Sequence, residues 1–161
     1  MANSPAHAPA WDILFSNRVF MSALFSWFLA QFIKILIRVF RGNSGGGGKT
    51  LVHFLWGTGG MPSSHSAAMV SVTTAVGLIE GLDSRLFGCL VVLSIIIIRD
   101  ALGVRHAAGV QAKGLNSLGH QLKKQQLAEY KPVKEINGHT LPEVTVGSIL
   151  GFSIALAICK L

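Results

Sequence analysis

Charge is the scarcest commodity in this chain. Only 13% of its 161 residues are Asp, Glu, Lys or Arg, where soluble domains carry about 25%. Just seven residues are acidic, while half are hydrophobic and the mean hydropathy is +0.52. That combination argues against an ordinary soluble domain and toward lipid. Cysteine is nearly absent too. Cys89 and Cys159 lie in apolar runs with no metal-ligand spacing, which excludes a disulfide framework or a zinc cluster and leaves two reduced packing residues. The first 17 residues contain no Lys or Arg, so neither a secretory signal nor an Arg-rich transit peptide is expected. The net charge of +7 would suit nucleic acid or an anionic membrane surface. Basic–aromatic interleaving and zinc-finger spacing are both missing, so nucleic acid is not an expected partner.

What the chain does have is four long apolar segments, at about 13–40, 62–80, 86–105 and 141–160. A spanning helix needs about 20 mostly apolar residues. Segments three and four reach that length only with their polar ends. The competing reading is a soluble helical bundle with very apolar core helices. The run VVLSIIII at 91–98 argues against it, because it has no polar face for a surface helix to show to water. The expected architecture is therefore all-α, one membrane domain over 1–161. It is a bundle of about four transmembrane helices with an interfacial helical segment. Residues 80–85 make a tight turn between segments two and three. The Gly-rich stretch 42–61 and the polar stretch 106–140 form longer loops. In the latter, Val110, Leu115, Leu118 and Leu122 recur at near-helical spacing, as in an interfacial amphipathic helix.

Four spans place both long loops on one side of the membrane. Eleven of the 14 basic residues fall there, from Lys34, Arg38 and Arg41 through Arg99 and Arg105 to Lys134, against Arg18, Arg85 and Lys160 on the other side. The positive-inside rule makes that face cytoplasmic or its organellar equivalent.

The residues suited to chemistry gather at the same face. Lys34 and Arg41 are two helical turns apart and share a helix face; they are interface anchors or anion ligands. Gly59-Gly60-Met61-Pro62-Ser63-Ser64-His65 opens segment two. A helix start there would turn the N–H groups of Ser63 and Ser64 toward an anion, with His65 able to give or take a proton. Otherwise it is a capped helix with an interfacial histidine. Asp100 either neutralises Arg99 or serves the site, and Arg105 could grip a phosphate bidentately. His139 and Glu143 are four apart, so the carboxylate can orient the imidazole as nucleophile or base. Thr140 and Glu143 also read as a helix-capping box, and both readings can hold together. Gly48-Lys49-Thr50 imitates the end of a phosphate-binding P-loop, but Asn43 stands where that motif needs Gly, so it is set aside.

GTGGMPSSHSA (57–67), RDALGVR (99–105), LAQFIK (29–34) and NGHTLPEVTVG (137–147) resemble the acid phosphatase/vanadium-dependent haloperoxidase-related proteins, including the YuiD-like ones. These are a divergent branch of the type 2 phosphatidic acid phosphatase superfamily. The resemblance covers about residues 20–155. Against the superfamily pattern K-x6-R-P, P-S-G-H and S-R-x5-H-x3-D, Lys34 and Arg41 look like the first motif, with Gly42 for Pro. Pro62 to His65 look like the second, with Ser64 for Gly. Arg105, with His139 and Glu143, looks like the third, split by a long insertion and with Glu for Asp.

The resemblance implies a metal-independent, cofactor-free hydrolysis of a phospholipid phosphomonoester. Phosphatidylglycerophosphate and phosphatidate are the substrate classes in view. His139 would be the nucleophile, oriented by Glu143 or Asp100, and His65 the general acid. Lys34, Arg41, Arg105 and the Ser63 and Ser64 amides would hold the phosphoryl group. The alternatives are a silent membrane subunit of a larger complex or homo-oligomer, and a phospholipid-binding protein of the same fold.

Overall fold

In hydrocarbon a segment must satisfy its own backbone N–H and C=O groups, so long apolar runs become helices. The computed structural model describes residues 10–40, 60–135 and 138–160. Six helices lie among them and no strand does: α1 (Ala10–Ser16), α2 (Arg18–Phe40), α3 (Ser64–Ile79), α4 (Arg85–Leu102), α5 (Val104–Lys124) and α6 (Leu141–Lys160). Arg41 and the rest of the Gly-rich loop up to Gly59 lie outside the described residues.

The boundaries depart from expectation at three places, each with a local cause. The first apolar segment is two helices, because Asn17 interrupts it. The Asn17 Oδ1 accepts the N–H groups of Val19 (2.9 Å) and Phe20 (3.1 Å), capping α2. The third segment ends at Leu102, where Gly103 takes a non-helical conformation before α5 begins. The second segment is shorter than a span. Its 16 residues reach only ~24 Å at ~1.5 Å per residue, against a hydrocarbon core of ~30 Å. Among the described residues three helical runs are long and apolar enough to cross: Arg18–Phe40, Leu141–Lys160, and the run from Arg85 that starts with α4. The shorter α3 touches α2, α4 and α6, so neighbouring helices rather than lipid surround much of it.

The packing is inverted relative to a water-soluble bundle. Most of the buried positions are small: Ser22, Ser26 and Ala30 on α2, Ser66, Ala67, Ser71 and Ala75 on α3, and Gly147, Gly151 and Ala155 on α6. The large apolar side chains face outward, with Phe25, Phe32, Ile95, Ile96 and Ile149 each more than half exposed. Water would not tolerate such a surface over most of a monomer, and lipid would. Without a hydrophobic force between helices, association rests on close backbone approach through small residues. The Gly147-x-x-x-Gly151 pair provides it. A Cβ on Gly151 would overlap the Ala67 carbonyl, and one on Gly147 would press into the Ser63 backbone. Hydroxyls add to it where Thr73 of α3 meets Ser94 of α4 at 2.8 Å. At one end of the bundle the Arg18 guanidinium donates to the Cys159 carbonyl (3.1 Å), which ties the start of α2 to the end of α6. The chemistry-bearing residues lie at the other end.

Candidate active site

The ends of α2 and α4 and the starts of α3, α5 and α6 meet there. The last turns of α2 bring Lys34, only 3% exposed, into electrostatic reach of Arg38 and Glu143. Gly60 crosses above them in a left-handed conformation (φ 95°); a Cβ on it would lie 3.7 Å from both Lys34 Cγ and Arg38 Nη2. Glycine suits both that φ and that closeness.

Pro62 and Ser63 are fully buried and lead into α3. Ser63 is its N-cap: the hydroxyl accepts from the Ser66 N–H (3.4 Å) and lies 3.0 Å from the Ser66 hydroxyl. The Ser63 N–H donates to the Glu143 carbonyl at 2.9 Å. This corrects the expectation that the Ser63 amide faces an anion. A buried backbone donor must have a partner, and α6, drawn close by Gly147, supplies one. The Ser64 N–H, at the first position of α3, has no acceptor within the helix and remains the amide suited to an anion. His65 follows with an exposed ring, within electrostatic reach of Arg105, His139 and Lys34.

His139 precedes α6 and is 7% exposed. Its Nδ1 lies 3.0 Å from Glu143 Oε2, and the same carboxylate oxygen accepts the Thr140 N–H at 3.1 Å. Glu143 thus caps the helix and holds the imidazole. An ionised carboxylate only accepts, so Nδ1 is the donor of this bond, and Nε2 is the ring nitrogen left for other partners. The backbone of His139 is fixed as well: its N–H donates to the Ala101 carbonyl at 3.1 Å. In an unbroken helix that carbonyl would serve the N–H of residue 105. The break at Gly103 releases it for His139.

Asp100 does not orient His139. Its Oδ2 accepts from Arg105 Nε at 2.8 Å, an exposed pair that leaves the two terminal guanidinium nitrogens of Arg105 uncommitted to Asp100. Five residues separate the two across the Gly103 break, which lets the side chains meet.

The insertion between Arg105 and His139 is an excursion that returns. Helix α5 runs outward and a strap over 125–135 runs back along it. Asn116 holds the two together. Its Nδ2 donates to the Val133 carbonyl (3.0 Å) and to Glu135 Oε1 (2.8 Å), its Oδ1 accepts the Val133 N–H (2.9 Å), and the Tyr130 hydroxyl also donates to Oδ1. Tyr130 lies against Gly119 and Gly138 against the backbone of His106, where in each case a Cβ would clash. The chain therefore arrives at His139 beside the start of α5.

The geometry brings Lys34, Ser63, Ser64, His65, Asp100, Arg105, His139 and Glu143 to one end of the bundle. Arg41 is outside the described residues, and Arg38 is the cation that accompanies Lys34 on α2. Sequence reasoning counted Arg38 only as loop-side charge. Its spacing of four from Lys34 was the available signal. Asn116 carried no signal, because its partners lie 14 to 19 residues away.

The "Uncharacterized membrane protein YuiD" of Bacillus subtilis (strain 168) is 34% identical over 156 residues, covering 90% of this chain and 96% of that protein. No solved structure matches. Residues 15–154 match the Divergent PAP2 family, and the chain belongs to that family, as a helical membrane protein.

Proposed function

We propose that this protein is a metal-independent phosphatase that removes the phosphomonoester of a phospholipid, such as phosphatidylglycerophosphate or phosphatidate, through a phosphohistidine. The observation that carries the reading is His139, clamped at Nδ1 by Glu143 (3.0 Å) while His65 lies in electrostatic reach of it, of Arg105 and of Lys34. His139 Nε2 attacks phosphorus. The P–N bond forms as the P–O bond to the lipid breaks, and His65 gives its proton to the departing oxygen. Water then attacks the phosphohistidine, His65 takes the water's proton, and inorganic phosphate leaves. Lys34, Arg105 and the Ser64 N–H, with Arg41 from the adjoining segment, stabilise charge on the transferring group, where most of such catalysis resides. The active face is the basic one, toward the cytoplasm or its organellar equivalent.

A second reading is a phospholipid-binding protein without turnover. The engagement of the Ser63 N–H by Glu143 favours it, since it removes one donor from the charge that develops on a transferring phosphoryl group.

The deciding experiment is phosphate release by the purified protein from each lipid in excess chelator, beside His139→Ala and His65→Ala. Release that survives chelation and is lost in both variants fits the phosphatase. Full activity in either variant would overturn the assignment. Saturable lipid binding with no release would move the conclusion to the second reading.

A further inference from the structure

The excursion formed by α5 and its strap has a bare side that the phosphatase reading does not use. Leu115, Leu118 and Leu122 lie at spacings of three and four, one line along the helix. They are 54%, 60% and 36% exposed, and Val104, at 67%, starts the same line. The strap closes the neighbouring flank through Asn116 and Gly119 and leaves this line open. Leu127, on the strap, is exposed as well (69%). Around these apolar groups the excursion carries Lys113, Lys123, Lys124, Lys131 and Lys134, all exposed, against Glu129 and Glu135. Glu135 is further occupied by Asn116. The excursion starts one residue beyond α4, part of a run apolar enough to cross the membrane, so it lies at the membrane boundary.

We propose that α5 and the strap form an anchor on the anionic lipid surface from which α4 emerges. The leucine line beds at the boundary between headgroups and acyl chains while the lysines meet anionic headgroups. Charge selects this occupant. A second copy would bring the same excess of lysines over Glu129 and Glu135, whereas an anionic leaflet complements that charge. An apolar helix face with a basic surround is the pattern of helices that lie in the interface plane. The proposal does not depend on catalysis.

The test uses the full chain in nanodiscs, with Cys89→Ala and Cys159→Ala. One new cysteine is labelled with an environment-sensitive fluorophore, at Leu118→Cys on the line or at Ser117→Cys on another side of α5. Discs contain phosphatidylcholine alone or with phosphatidylglycerol. The expected result is a blue-shifted Leu118 probe, quenched by lipid spin-labelled near the headgroup and more strongly so in anionic discs. The Ser117 probe should be quenched by aqueous iodide instead. Equal iodide access at both positions in anionic discs would overturn the proposal, and so would identical quenching in neutral discs. Shielding of Leu118 found only in discs holding two copies would assign the face to self-association and overturn it too. Leu122→Cys repeats the measurement at a second point on the line, so that one poorly folding variant does not decide the matter.

Discussion

Replacing Glu143 by Gln separates the two duties of one carboxylate. Oε2 of Glu143 accepts from Thr140 N–H at 3.1 Å and lies 3.0 Å from His139 Nδ1. A Gln at that position also completes a capping box, so the start of α6 should hold. The imidazole fares differently. As His139 attacks phosphorus its ring gains positive charge, and a carboxylate stabilises that charge through an ionised hydrogen bond. Such bonds contribute about 1.5–3 kcal/mol, against about 0.5–1.5 for neutral ones. The difference of about 1–2 kcal/mol falls on the transition state, and at about 1.36 kcal/mol per tenfold it lowers kcat by about 5- to 30-fold. The assay is single-turnover and steady-state phosphate release by Glu143→Gln, with a thermal melt beside it. Unchanged kcat in Glu143→Gln, with His139→Ala inactive, would refute the reasoning and leave Glu143 as a helix cap alone. A large drop in melting temperature would refute it from the other side, by showing that the charge holds the fold.

Other substitutions test other parts of the structure. Gly151→Leu should destabilise the bundle by at least about 1–3 kcal/mol, read as a lower melting temperature in detergent, because any Cβ there meets the Ala67 carbonyl. Thr73→Val removes the hydroxyl that meets Ser94 at 2.8 Å and should cost no more than about 1–2 kcal/mol, since interhelical hydrogen bonds in membranes average about 0.6. Asn116→Ala should release the strap, losing about 2–3 kcal/mol of local order. Hydrogen exchange over 125–135 should rise sharply there while that of α3 and α6 stays unchanged. Asp100→Asn should leave the fold intact and weaken substrate binding more than turnover, because the carboxylate aims the Arg105 guanidinium and touches no reacting atom; a KM-against-kcat comparison reads it.

The sequence made the convergence of the site legible, because alternating spans and one-sided charge together admit few arrangements. Lys34, His65, Arg105 and His139 all fall at helix ends that the hydropathy pattern already marks. What stayed hidden depends on partners distant in the chain. The Ser63 N–H looks available for an anion in isolation; only the approach of α6, permitted by Gly147, gives it the Glu143 carbonyl. Asp100 has Arg99 as its neighbour in the chain and His139 as the partner the family resemblance offers, but across the break at Gly103 it meets Arg105. The insertion before His139 is readable as an amphipathic helix from its leucines. Its return path is not, because that path rests on the bonds of one Asn116 side chain.

The bond between Ser63 N–H and the Glu143 carbonyl has a consequence for the host bilayer. It ties the start of the short α3 to the first turn of α6, and so ties together the elements that bear His65 and His139. Bilayers differ in thickness by several Å, and helices adjust by tilting or by deforming the lipid. With one end of α3 pinned, that adjustment falls on the opposite leaflet, where the turn at Gly81–Ser84 leads into α4. The spacing of the two histidines should therefore depend little on acyl-chain length.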